Sequence, residues 1–429
     1  MSVKDRLKRM TGEAAGPGKA DASRSEVIGE LRRKIDAIMS RRESYPRATV
    51  AFRPREIRPL PEVITGEEVG NARGKCFFSR TLFGARTSHG SSEIACLARP
   101  DMNAAALLAG QPGIGGMAIS DALFLDTETT GLSGGTGTLA FLVGLGWFEG
   151  EDFVVCQLFA RDYHEEGALL TLLDEIARDR RFLVTFNGRG FDLTLLAARF
   201  ILNRLPNPLS GMPHLDLLFP SRRLLAHRLE NCRLGTLESQ VLGLRREGDV
   251  PGFEIPGRYF DWLRTGDASP LEEVFHHNRL DVVSMAALVM HLSHLVGAGE
   301  GHPHADVLAA ARMHLHQGCP GVAIALLEGL VDSPDPAVTR EARIALSLFR
   351  KRRGLWAGAA ALWEAMLSEN PLDLFAAEEL AKWLEHRQRD CPRALVIVER
   401  VLREGGCASL EEREAFARRL ARLKRKSGV

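Results

Sequence analysis

Cysteine is scarce in this chain and does not fall into pairs. There are seven in 429 residues, an odd number, and no two have CxxC spacing. That excludes a small disulfide-stapled fold and a zinc ribbon, and it fits buried thiols in a reducing compartment. No apolar run is expected to approach a membrane span. The N-terminal residues carry charge without an apolar stretch behind them, so no secretory leader is expected and the cytoplasm is the expected location. An excess of one charge sign is missing too. Lys and Arg total 56 against 55 Asp and Glu, for a formal net charge of +1. The whole molecule therefore has no electrostatic bias toward nucleic acid. Basic residues cluster only locally, at Lys4, Arg6, Lys8, Arg9 and Arg32–Lys34, and again from Arg418 to Lys426. Such runs are ordinarily solvated faces, with phosphate contact as the alternative.

What is present divides into four expected segments. Residues 1–75 read as a basic, partly disordered arm, with an amphipathic helix at Ser25–Ser40. Residues 76–118 read as a small accessory β-rich segment. Residues 119–297 form the main domain. Its apolar runs Ala122–Asp126, Leu139–Phe148 and Phe153–Ala160 predict strands, the last two joined as a hairpin at Gly150–Glu151. A helix at Glu165–Arg178, a strand at Phe182–Phe186 and a helix at Phe191–Asn203 follow, which reads as α/β with a mixed sheet flanked by helices. A long helix is expected from Pro270 to Leu295, with Ser269 as N-cap and Glu272 closing a capping box. Residues 303–429 are Ala- and Leu-rich and read as all-α. Helix pairs recur there at roughly 35 residues, near the tetratricopeptide (TPR) period, with Val322–Leu330, Ala359–Leu367 and Arg393–Leu402 in comparable positions. Ser409 and Glu412 make a second capping box.

Three motifs carry chemistry. In Leu123-Phe-Leu-Asp-Thr-Glu-Thr-Thr-Gly131 an apolar strand ends in two acids. Side chains at i and i+2 share a strand face, so Asp126 and Glu128 converge. Paired carboxylates repel unless a cation lies between them, and hard oxygen ligands suit Mg²⁺ or Mn²⁺. In Val184-Thr-Phe-Asn-Gly-Arg-Gly-Phe-Asp192 a strand feeds a turn and an acid at a helix start, where the dipole favours negative charge. Alone, Asp192 would read as a helix cap. Asn187 and Gly188 permit a tight turn that brings backbone close to a substrate strand. Arg189 reads equally as a phosphate contact or a solvated side chain. In Phe275-His-His-Asn-Arg-Leu-Asp281, His277 and Asp281 share a helix face. Two weaker patterns are set aside. Gly131-Leu-Ser-Gly-Gly-Thr-Gly-Thr138 lacks the Lys of a P-loop and reads as a turn over the site. His291 and His294 have ligand-like spacing without an acid or Cys partner, and read as surface or packing residues.

Together the motifs supply Asp126, Glu128, Asp192 and Asp281, in the order acid–x–acid, acid, acid. This arrangement resembles the DEDD, or DnaQ-like, 3′–5′ exonucleases of the ribonuclease H-like fold. More closely it resembles the bacterial YprB-type family, which joins such a domain to a TPR-like region. His214-Leu-Asp216, Cys232 to Glu238, Leu242-Gly-Leu244, Pro251-Gly252, Ile255-Pro256 and Trp262 to Asp267 look like that family's middle segment. The resemblance covers Ala122–Leu295 well and the C-terminal region loosely. It says little about residues 1–75.

The resemblance implies two Mg²⁺ or Mn²⁺ ions, roughly 4 Å apart, held by the four acids around a scissile phosphate. It also implies a residue that orients the attacking water: a Tyr four before the last acid, or a His five before it. Both positions are His here. His277 fits the first spacing and is favoured, while His276 stays open. Thr127, Asn187, Arg189 and His276 are the accompanying candidate substrate contacts. Nucleic acid, as single strands or 3′ ends of DNA or RNA, is the implied partner. The helical repeats suggest a protein partner as well. The alternative is a catalytically weak or inactive nucleic-acid-binding or adaptor protein that uses its helical repeats to hold a protein partner.

Overall fold

The computed structural model describes residues 57–131, 137–297 and 299–427. The helix expected at Ser25–Ser40 and most of the Gly-rich stretch after Gly131 lie outside the described residues. Residues 57–427 fall within one compact unit.

A seven-stranded mixed sheet forms its centre, in the order β1-β2-β7-β6-β5-β8-β9. The strands are β1 (Glu67–Asn71), β2 (Gly74–Phe83), β5 (Ala122–Thr129), β6 (Ala140–Glu149), β7 (Asp152–Phe159), β8 (Phe182–Thr185) and β9 (His214–Asp216). The two-residue strands β3 (Ser88–His89) and β4 (Ser92–Glu93) pair separately. The β6–β7 hairpin turns where expected, with Gly150 at φ +66°. Left-handed backbone of this kind suits glycine. Strand β5 lies between antiparallel β6 and parallel β8, so its end opens at the middle of the sheet.

The segment expected as a small accessory β-rich element contributes strand β2 to this sheet. Strand β2 pairs with β7 from Phe77↔Phe159 to Phe83↔Phe153, and β1 pairs with β2. An isolated hairpin buries too little to be stable, whereas extending a hydrophobic sheet edge removes that deficit. Helix α1 (Met102–Ala109), capped by Asp101, packs against the same core.

Strand alternation assigns the layers. Leu123 and Leu125 face helices α2 (Glu166–Ala177) and α3 (Asp192–Leu202) in one core. Ala122 and Phe124 face the other core, where helix α6 (Leu271–Gly297) lies. The helices between are α4 (Leu218–Leu225) and α5 (Ile255–Thr265). Helix α6 sits tightly on β6. A Cβ added at Gly146 would lie 2.5 Å from Val282, and one at Gly144 would lie 2.4 Å from Asn278 Oδ1. These two glycines let the helix descend onto the strand.

By length and composition α6 is apolar enough to cross a membrane, contrary to the expectation of no such run. Most of that stretch is buried inside the protein, and residues such as Val282, Leu288 and Leu292 belong to the sheet's core. Its start also differs from expectation. Among the described residues no backbone N–H donates to the Ser269 hydroxyl, which itself donates to Asp267 at 2.8 Å.

An all-α region follows: α7 (His304–His316), α8 (Pro320–Glu328), α9 (Pro336–Arg352), α10 (Trp356–Glu369), α11 (Leu374–Trp383), α12 (Cys391–Arg403) and α13 (Leu410–Ser427). The three comparable stretches lie in α8, α10 and α12. Asp335, Asp373 and Asp390 cap α9, α11 and α12 by accepting backbone N–H groups. The second capping box forms, with Glu412 N–H donating to Ser409 and Ser409 N–H to Glu412. Helix α7 anchors this region to the sheet domain through buried Asp306, which accepts two bonds of 2.9 Å from Arg228. The chain is therefore a ribonuclease H-like α/β domain followed by an all-α domain.

Candidate active site

The end of β5 carries its two acids on one face of the sheet and Thr127 on the other. Asp126 and Glu128 sit on the face covered by α6, where Asp281 projects one turn beyond His277. Thr127 points the other way, toward the start of α3. It is buried, and its hydroxyl donates to Asp192. The strand alternation aims it away from Asp126 and Glu128 and gives it a partner in Asp192.

Asp126 and Asp281 line one cleft of about 400 Å³ with Phe186, Asn187, Arg222 and Arg233. The carboxylates are crowded, with Asp192 buried and Asp126, Glu128 and Asp281 half-buried. Burial holds the Asp126 carboxyl well above the usual range, and Asp281 and Asp192 push it further, against a lowering hydrogen bond from Asn278. Burial also raises Glu128, with Asp126, Asp281, Asp192 and Asp249 adding to the effect. Asp192 is raised to about 6, chiefly by burial, although the Thr127 hydroxyl opposes the shift. Among the described residues no side chain donates a hydrogen bond to Glu128. A buried, mutually repelling set of hard oxygens is what a small divalent cation neutralises.

Several partners of these acids had no signal of their own in the sequence. Asn278 donates to Asp126 at 2.8 Å, and Gln157 donates to Asn278 Oδ1 at 2.8 Å. Arg246 bridges Asp281 and Glu238, which is only 1% exposed, and approaches Asp249 at 3.3 Å. Asp249 in turn holds His277 Nδ1 at 2.7 Å, and His277 Nε2 faces Asp281 Oδ2 at 3.7 Å. With Arg246 on Asp281, no three His, Cys, Asp or Glu side chains among the described residues stand as a closed metal-binding group. The spacing from Glu238 to Asp249 was the one available clue, since it lies in a segment already set apart by its Gly and Pro.

The two histidines separate. His276 lines a different groove with Ser79, Arg80, Glu272 and Arg279, and burial lowers its pKa with help from Arg279. Asn187 is at the cleft with φ +67°. Its N–H donates to Asp216 at 2.8 Å and that of Arg189 to the other Asp216 oxygen at 3.0 Å, so Asp216 fixes the turn. The Arg189 guanidinium bonds the His214 carbonyl at 3.1 Å and does not line the cleft. His291 and His294 lie elsewhere on α6. His294 Nδ1 is 2.9 Å from His302 Nε2, and the His291 ring packs edge-on against His302.

Comparison with known proteins bears on the fold. A family model described as RNase_H superfamily matches residues 123–293, the span from β5 through α6. A Bacillus subtilis (strain 168) protein described as "Uncharacterized protein YprB" is 36% identical over 310 residues, covering 71% of this chain and 74% of that protein. The chain belongs to the YprB family. In YprB terms the matched stretch reaches well beyond the nuclease-like span. Ribonuclease H-like proteins usually hydrolyse nucleic acids and generally use divalent metals, and the acid set of this YprB relative fits such ions by donor type.

Proposed function

We propose that this chain is a metal-dependent 3′–5′ exonuclease that hydrolyses phosphodiester bonds of DNA or RNA. The observation that carries the reading is the crowding of Asp126, Glu128, Asp192 and Asp281 at one end of the sheet, where Asp281 and Asp192 raise Asp126 and all three raise Glu128. These four are the residues that would hold Mg²⁺ or Mn²⁺. Such ions, when bound, supply a Lewis acid for the phosphate and a water of lowered pKa.

The protein's own groups do the rest. With its Nδ1–H on Asp249, His277 keeps Nε2 as an acceptor on the Asp281 side, suited to orient a water and take its proton. The turn at Asn187, fixed by Asp216, brings backbone against the substrate strand. Arg222 and Arg233 line the same cleft and counter phosphate charge. All seven cysteines are free, in keeping with a reducing, cytoplasmic setting. The test is release of mononucleotides from labelled oligonucleotides with Mn²⁺ or Mg²⁺. Wild type is expected to release them and Asp126→Ala is not.

One observation favours a second reading, an adaptor that binds nucleic acid without cutting it and holds a protein through its helical repeats. Arg246 already neutralises Asp281. An adaptor would show no Mn²⁺-dependent rise in melting temperature that Asp126→Asn removes.

A further inference from the structure

The cleft at the acids does not end at Arg222. The same side chain also lines an adjoining groove of about 420 Å³, formed with Phe219, Arg223, Leu108, Met313 and Gln317. Helix α4 therefore borders both the cleft at the acids and the groove against the first helix of the all-α region, with Arg222 between them. The walls of the groove are fixed. Gln317 on α7 donates its amide to the Leu107 carbonyl at 2.8 Å, and Arg228 holds buried Asp306 of α7.

The chemistry of this surface is specific. Arg222, Arg223 and Arg233 are exposed, and among the described residues none has a carboxylate within salt-bridge distance. Many other arginines here are paired, as Arg161, Arg199 and Arg340 are. Phe219 is 52% exposed, an aromatic ring left in solvent beside an apolar floor that includes buried Met313. Phe219 and Arg223 are four apart on one helix and share a face. Unpaired guanidiniums with an interleaved open aromatic suit a chain of phosphates whose bases are free to stack. A duplex offers the phosphates but keeps its bases stacked on each other.

We propose that this groove holds a single-stranded polynucleotide: the same strand whose 3′ end lies at Asp126 and Asp281. This rests on the exonuclease reading for its direction. Phosphates lie against Arg233, Arg222 and Arg223 in that order away from the acids, and an upstream base stacks on Phe219. The all-α region thereby forms one bank of the substrate path.

The test is fluorescence anisotropy with the full chain in EDTA, so that no strand is cut. The probes are labelled oligothymidylate and oligouridylate dodecamers, the corresponding dinucleotides, and a duplex dodecamer. For the single-stranded dodecamers, Phe219→Ala is expected to weaken binding about tenfold, with Phe219→Trp restoring it. The double variant Arg222→Gln/Arg223→Gln is expected to lower the slope of log K against log salt by about 1.4. Duplex binding is expected to be insensitive to Phe219→Ala. Failure of wild type to bind the single strands, unchanged affinity in both variants, or an equal loss for duplex would overturn the proposal. So would an acidic peptide, polyglutamate, binding as tightly and with the same losses. If wild type cuts no strand under any metal while these losses appear, the groove stands as a single-strand site and the exonuclease reading falls.

Discussion

Asn278 on α6 donates its side-chain amide to Asp126 on β5 across 2.8 Å. The bond ties the helix that carries Asp281 to the strand that carries the first two acids. Gln157 orients that amide from β7, and Gly144 makes room for it. Asn278→Ala is expected to cost about 1–3 kcal/mol in denaturant unfolding, since it leaves the buried Gln157 amide and the Asp126 carboxyl short of a partner. Gly144→Ala is expected to cost a similar amount by forcing the two elements apart, about 1–3 kcal/mol. Unchanged midpoints for both would sever this link.

Arg246 sits between buried Glu238 and Asp281. Arg246→Gln is expected to destabilise the metal-free chain by about 3–5 kcal/mol, because Glu238 loses its counter-charge. The same change frees Asp281, so the melting temperature should rise more on adding Mn²⁺ than it does in wild type. A smaller Mn²⁺ response than wild type would show that the guanidinium does not compete for that carboxylate.

The Asp192 carboxyl titrates near 6, above its unfolded value of about 3.9. A raised carboxyl binds its proton more tightly in the folded state, so its contribution favours folding at low pH. That contribution is lost as pH rises through the window from about 4 to 6. Asp192→Asn lacks this titration. Wild type is therefore expected to lose about 2 kcal/mol relative to Asp192→Asn between pH 4 and pH 7 without metal. Parallel stability curves for the two proteins would refute the assignment.

His277 and His276 are expected to part in kinetics. His277→Ala should lower hydrolysis by about 10²–10⁴-fold while keeping the Mn²⁺ shift in melting temperature. His276→Ala, on another groove, should change the rate only a few-fold. A larger loss at His276 would move the water-orienting role to it.

Much of the fold was legible because local signals and tertiary structure agree. The β6–β7 hairpin, the start of α3 at Asp192 and the length of α6 follow from turn residues and apolar periodicity. Thr127 shows a signal that could have been used further: between two acids on a strand it must face away from them. Other features depend on contacts distant in sequence. Strand β2 gives no local sign that β7 is its partner, and Arg246 lies 35 residues from Asp281. The Ser269 hydroxyl donates to Asp267, two residues earlier, a contact the capping pattern does not announce.

The central claim is a cutting site at Asp126, Glu128, Asp192 and Asp281. Its most direct test uses a 5′-labelled single-stranded oligonucleotide, as DNA and as RNA, with Mn²⁺ and with Mg²⁺. The account predicts a ladder that shortens stepwise from the 3′ end with wild type and an intact strand with Asp126→Ala. An intact strand with wild type under every metal, or the same ladder with Asp126→Ala, would contradict it.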